Sequence, residues 1–350
     1  MKITAEPYGK TADGSNVFAY TLENAQMKVE ILNYGGVVKS LYVPDRNGRM
    51  ADIVLGHANF ETYLENPGSL GAAVGRNANR ISGARCNIFG EKTELEANDG
   101  LNNLHSGYHN LTRRLFSSEV HTFNNLPALL LSHTIEDGGD GFPGSLIVTI
   151  AYALTEDNAL MIDYRAVSDK NTVINLTNHS YFNLAGHDGG NIYGHQLELN
   201  ARFYTPNNSQ LIPTGEILSV KDTPFDFHTA PKAIGKDIHS ALTQLQQCGG
   251  YDHNFVLCGL GYRKVAAVTE PESGRVMTVL TDLPGIQLYT ANGFNGETAC
   301  KDGVKYQKHG GFCLETQFFP NSANTPWFPS PFFAAGEEYT STTAYQFSVI

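Results

Sequence analysis

Four stretches of this chain hold an isolated ionisable side chain among apolar or amide residues, the setting in which proton-transfer chemistry can be tuned. Between Lys170 and His187, His179 and the weak acid Tyr181 are the only ionisable groups. In an extended segment His179 shares a face with Val173, Asn175 and Thr177, half apolar and half amide or hydroxyl. An imidazole there titrates near neutral pH and can give or take a proton. The same amides could equally hold it as a buried structural histidine. Glu315 is the only carboxylate between Asp302 and Glu337, and it sits among aromatic residues. Desolvation raises a carboxyl pKa toward the range where the group works as a base. Alternation leaves another reading open, with Leu314 turned inward and Glu315 on the solvent face of an edge strand.

Two further stretches, around His105 (NLHSG, residues 103–107) and around Asp252 and His253 (GYDHNF, residues 250–255), read as turns or strand ends holding a polar side chain against tight backbone. A fifth stretch, GRNANRI from Gly75 to Ile81, sets Arg76 and Arg80 four apart. Arginine's rigid fork of donors suits vicinal hydroxyls or a carboxylate, although a solvated face would carry the same pair. Other chemistries fail on the residues. There is no GxGxxG opening a βαβ unit and no GxxxxGK[ST]; G-x-S-x-G and HExxH are also missing. His105 and His109 are four apart, but Ser106, Gly107 and Tyr108 between them make a poor helix for a metal pair. The expectation is a site without metal or cofactor.

The elements that must position these groups are mostly strands. Met27–Ile31, Met161–Arg165 and Gln196–Leu199 alternate with period two, and Leu146–Ala153 is rich in β-branched residues. Turn clusters at 45–48, 137–141 and 188–191 separate them, and 35 glycines fit many short strands. Short helices are predicted only at Asn59–Glu65 and roughly Pro231–Leu245. No linker, charge block or internal repeat divides the 350 residues, so residues 1–350 read as one domain. With 41% hydrophobic and 17% charged residues the composition is globular. A net charge of −11 disfavours nucleic-acid and membrane partners. No apolar run reaches the roughly 20 residues of a membrane helix. Five cysteines, an odd number with no CxxC pair, fit reduced thiols. With no apolar signal-like stretch after Met1–Glu6, the expected location is cytoplasmic.

Taken together and in order, six segments resemble the aldose 1-epimerase (galactose mutarotase) family: GRNANRI (75–81), NLHSG (103–107), TNHSYFNLAG (177–186), GYDHNF (250–255), QLYTANG (287–293) and LETQFFP (314–320). Weaker matches extend the resemblance from residue 33 to residue 347. It implies an all-β fold, a large, mostly antiparallel β-sandwich with few short helices and an open sugar cleft. It further implies Glu315 as general base and His179 as general acid. Asn79, Arg80, His105, Ser180, Tyr181, Asp252 and Gln287 are implied as sugar-binding. Two departures stand out: Ser106 where relatives carry glycine, and Asn321 where aspartate is common. The implied partner is a small aldohexose, galactose or glucose, whose α and β anomers are exchanged by opening and closing the hemiacetal. Opening needs a base on the anomeric hydroxyl and an acid on the ring oxygen. Two alternatives remain, a hexose-6-phosphate 1-epimerase and a non-catalytic carbohydrate-binding protein on the same sandwich. The first needs added cationic contacts, for which no basic cluster is evident. The second has no use for both Glu315 and His179.

Overall fold

A computed structural model describes residues 2–350. Its strands assemble into three main antiparallel sheets. The largest has nine strands in the order Ser117–Phe123, Leu126–Ile135, Leu146–Leu154, Ala159–Ser168, Glu338–Val349, Arg275–Thr281, Arg263–Thr269, Gln196–Leu199 and Lys232–Ala233. A five-stranded sheet runs Leu218–Ser219, Ala201–Thr205, Asp252–Leu257, Gly285–Tyr289 and Cys313–Gln317. A second, built from residues 2–52, is a simple up-and-down meander. The period-two segments fall in strands, with Met27 alone one residue ahead of its strand, because alternation lets each strand bury one face and solvate or functionalise the other.

One apolar cluster draws on all three sheets, including Val29, Ile31, Ile150, Ile162, Phe255, Ile286, Leu288, Leu314 and Tyr345. The five-stranded sheet that ends in Cys313–Gln317 lays Leu314, Leu288, Ile286 and Phe255 into this core. Tyr345 Oη donates to Leu314 O at 3.0 Å, and the Thr316 and Thr343 hydroxyls meet at 2.5 Å, tying that sheet to the large one. The arrangement is the expected β-sandwich. Among the described residues no helix is long and apolar enough to cross a membrane.

Helices are few. Phe60–Glu65 forms where expected, with the Asn59 side chain accepting from Thr62 N and Asn66 closing the end at φ 38°. The predicted helix over Pro231–Leu245 does not form as such. Lys232–Ala233 instead pairs with Gln196–Leu197 at the edge of the large sheet, a 3₁₀ turn covers Ile234–Lys236, and the helix runs only over Thr243–Cys248. Pairing at a free sheet edge and burial of Ile234 outweigh the weak helical preference of a stretch interrupted by Gly235.

Candidate active site

Register in the five-stranded sheet that ends in Cys313–Gln317 sets the floor of the site. Gln287 lies directly opposite Glu315 on one side and Asn254 on the other. Period two then puts Cys313, Glu315 and Gln317 on one face with Tyr289, Gln287, Asp252 and Asn254, while Leu314, Leu288 and Phe255 point to the core. Glu315 therefore lies on the face turned away from the core, yet it is only 2% exposed because loops cover that face. Gln287 donates to Asp252 Oδ1 at 2.7 Å, and Gln317 donates to both Gln287 and Asn254 at 3.1 and 3.2 Å. Asn79 Nδ2 reaches Gln317 at 3.4 Å.

His179 follows the short strand Thr177–Asn178, which pairs with Ala73–Val74. Its N–H donates to Ala72 O and its carbonyl accepts from Gly71 N. Gly71 turns there at φ +70°, where an added Cβ would lie 2.4 Å from Val38 O. The ring is stacked on Tyr181 at 4.8 Å, with His105 at 5.5 Å edge-on. Its Nε2 lies 3.8 Å from Glu315 Oε2 and its Nδ1 lies 3.4 Å from Cys313 Sγ. His105 is held differently: its Nδ1 accepts the Asn79 N–H at 3.1 Å, so the neutral ring carries its proton on Nε2. Arg80 donates to Asp99 at 2.7 Å and stands 3.9 Å from Asp252.

Burial governs the charge states. It pushes the Glu315 carboxyl well above the usual carboxylate range; the Asp252 carboxylate adds to this, and Arg80 opposes it. Burial pushes His179 down to about 4. At 3.8 Å the two are beyond direct hydrogen-bond reach. Burial thus opposes the charged form of both groups. Asp252 is also raised, by burial first and by Asp99, against the pull of Arg80 and of the Gln287 hydrogen bond. The His105 imidazole is held well below its ordinary value by burial, His179 and Arg80.

A cleft of about 470 Å³ opens over these groups, of a size suited to small ligands. Asn79, Arg80, His105, His179, Tyr181, Asp252 and Glu315 all line it. The structure thus brings seven of the nine sequence-derived residues to one cavity. Gln287 and Ser180 are not on its wall. Gln287 is buried beneath, where it holds Asp252, and the Ser180 hydroxyl donates to Asn178 Oδ1 at 2.6 Å. Arg76 is separated from Arg80 altogether, wholly buried against Asp140. The Ser106 hydroxyl accepts from Asn77 N at 2.8 Å, tying the His105 turn to the Asn79 segment. Asn321 Oδ1 accepts from Ser82 N at 3.0 Å, bracing the same region from behind.

Sequence reasoning passed over Tyr289, Asn292 and Leu211, which also line the cleft, and Cys313, whose place two residues before Glu315 already put it on the same strand face. Ligand atoms of His179, Cys313 and Glu315 lie within 4.8 Å of one another, close enough to hold a metal ion. Such an ion would need the thiol deprotonated; burial, Glu315 and Asp252 push that thiol well up.

The arrangement offers one buried carboxyl and one buried imidazole facing a polar, sugar-sized cleft. The family model for aldose 1-epimerase matches residues 19–346. The chain is 40% identical to galactose mutarotase of Bos taurus over 100% of this chain and 99% of that one. It is 37% identical to aldose 1-epimerase of Escherichia coli strain K12, covering 96% of each. Among solved structures, galactose 1-epimerase from Lactobacillus acidophilus NCFM superposes with a TM-score of 0.88 at 27% identity, covering 99% of each chain. With the family model, the full-length relatives and the superposed fold in agreement over nearly the whole chain, it belongs to the aldose 1-epimerase family and carries that activity.

Proposed function

We propose that the cleft binds a free, uncharged aldohexose, galactose or glucose, with Glu315 as general base and His179 as general acid. The observation that carries this reading is the buried carboxyl–imidazole pair 3.8 Å apart on the cleft wall. Opening of a bound closed sugar starts once one proton has passed from the Glu315 carboxyl to His179 Nε2, leaving Glu315 ionised and His179 protonated. The anomeric hydroxyl proton passes to Glu315, the Nε2 proton passes to the ring oxygen, and the C1–ring oxygen bond opens to a carbonyl. After a half turn about C1–C2, the free hydroxyl closes on the other carbonyl face. His179 Nε2 then takes its proton back, and Glu315 returns its proton to the former carbonyl oxygen.

One proton is shared by the pair throughout. Opening leaves both groups neutral, the state that burial favours, so the cleft stabilises the charge-depleted side of the reaction. Asp252 and Arg80, with His105 Nε2–H as a fixed donor, hold the sugar hydroxyls. Gln287 acts from below by orienting Asp252.

Charge supports an uncharged substrate over a hexose phosphate. The two arginines on the cleft wall are already engaged by carboxylates, Arg80 by Asp99 and Asp252, and Arg113 by Glu65 at 3.1 Å. A phosphate would have to displace them. The names of the relatives, galactose mutarotase and galactose 1-epimerase, favour galactose. Free cysteines throughout the described residues fit a reducing compartment, the cytoplasm.

Polarimetry with fresh α-D-galactose, α-D-glucose and glucose 6-phosphate tests the substrate reading. The free sugars should be turned over with kcat/KM well above that of the phosphate, and the reverse order would sink it. Activity should survive dialysis against a chelator; loss of activity restored by one divalent ion would overturn the metal-free mechanism.

His179 and His105 should not be interchangeable. His105 has one ring nitrogen committed to the Asn79 N–H, whereas His179 presents Nε2 to Glu315. His179→Asn should lower kcat strongly and remove the acid limb of the pH–rate profile, while His105→Asn should mainly raise KM. Because the pair works while it holds one proton, the wild-type rate should be flat across neutrality. It should fall only at low pH, where His179 charges beside a still-protonated Glu315, and at high pH, where Glu315 ionises beside a neutral His179. A limb that vanished with His105→Asn and survived His179→Asn would reverse the assignment.

A further inference from the structure

We infer that Cys313 is a positioning residue whose sulfur accepts the Nδ1–H of His179 and so reserves Nε2 as the nitrogen that exchanges a proton with the sugar. The inference rests on the acid–base reading above and goes one contact further. When an imidazolium gives up its Nε2 proton, the neutral ring must keep the other proton on Nδ1. If the ring drifted to the other tautomer, Nε2 would carry a proton, and His179 could not take the ring-oxygen proton back for closure. An acceptor at Nδ1 prevents this.

Cys313 Sγ stands 3.4 Å from Nδ1, and both side chains are buried. The backbone carbonyl of His179, which accepts from Gly71 N, also lies near the ring and favours a proton there, and Cys313 Sγ is the side-chain atom placed at Nδ1. The remaining faces of the ring are taken by Tyr181 stacked on it and by His105 and Tyr289 at its edge, with Glu315 beyond Nε2. Arg80 is the nearby cation and is engaged by Asp99 and Asp252.

The choice of sulfur has a chemical consequence. A carboxylate in this place, as in a Ser-His-Asp triad, orients the ring but also stabilises the imidazolium, making it a poorer donor to a weakly basic ring oxygen. A neutral thiol orients without adding charge. Burial, Glu315 and Asp252 keep the Cys313 proton on sulfur, so no thiolate competes for that of His179. A serine oxygen, on a shorter bond from Cβ, would fall short of the ring and substitute only in part.

The test is ¹⁵N NMR of histidine-labelled protein at neutral pH, with the His179 resonances identified by their loss in His179→Asn, alongside polarimetric kinetics on galactose. The wild-type ring should be neutral with its proton on Nδ1. In Cys313→Ala the Nε2–H form should appear, and kcat should fall about tenfold while KM moves by less than about twofold. Cys313→Ser should recover part of the loss. A wild-type ring protonated at Nε2, or wild-type kcat in both variants, would overturn the role. The wild-type spectrum and the serine variant decide the matter even if the alanine variant does not fold. Lost turnover in Glu315→Gln beside unaffected Cys313 variants removes the positioning role alone. Retained turnover in Glu315→Gln removes the acid–base reading beneath it.

Discussion

Replacing Glu315 with glutamine should lower kcat by about a hundredfold or more, the least that a positioned proton-transfer group typically contributes, while leaving KM within a few-fold. The amide keeps the volume of the side chain and its place opposite Gln287, so the strand and cleft wall should stand. What disappears is the group that takes the anomeric proton. No neighbour can replace it. Asp252 is fixed by Gln287 at 2.7 Å and faces Arg80, and its own carboxyl is pushed up by burial. The loss should appear in kcat and kcat/KM together, the signature of an interaction made in the transition state. Polarimetry corrected for spontaneous mutarotation measures it. A variant retaining more than about a tenth of wild-type kcat would falsify the general-base role.

The largest effect on stability should come from a residue outside the cleft. Arg76 is wholly buried, and its guanidinium pairs with Asp140 through two nitrogens at 3.1 Å. It also donates to Pro143 O at 2.8 Å and Thr172 Oγ1 at 3.0 Å. It thereby clamps the 137–141 turn and the strand Thr172–Val173 to the segment that carries Asn79 and Arg80. Arg76→Met fills similar space but strands the Asp140 carboxyl in a dry interior. Removing one partner of such a pair costs about 3–5 kcal/mol. Replacing both, Arg76→Met with Asp140→Leu, should recover much of the loss, since a hydrophobic pair avoids the desolvation of two ions. Denaturant unfolding of the two single variants and the double variant checks this. A single variant within about 1 kcal/mol of wild type would show the pair to be dispensable.

Much of this site could be read from the sequence because strands announce their faces. Alternation around Leu314 and Glu315 left two outcomes open for the carboxylate, and the structure takes the desolvated one, with the side chain turned from the core yet covered. The covering loops, from residues 66–69, 104–113 and 292–293, belong to distant parts of the chain, and no local pattern predicts their closure. The Asp252–Gln287–Gln317–Asn79 chain was hidden for the same reason. It exists only through strand register, joining residues as far as 238 positions apart. The two arginines of GRNANRI looked alike in sequence. Only the partner at Asp140 separates a structural clamp from a cleft residue. Cys313 carries no disulfide or zinc spacing that would single out its thiol, although its spacing of two from Glu315 places both on one strand face. The segment after Pro231 was misread because a free sheet edge can capture a strand that the local sequence only weakly prefers.

In the nine-stranded sheet, Glu338–Val349 lies between Ala159–Ser168 and Arg275–Thr281, although it follows every other strand of that sheet in the chain. A strand made late is thus a seam near the middle. Until it arrives, the sheet is two separate halves, each presenting a long bare edge able to template pairing with another molecule. Ribosome-bound or truncated chains lacking this strand should therefore be the aggregation-prone species, needing chaperone cover that the finished protein does not. Yield in the cell should depend less on the stability of the folded sandwich than on how quickly the seam is sewn.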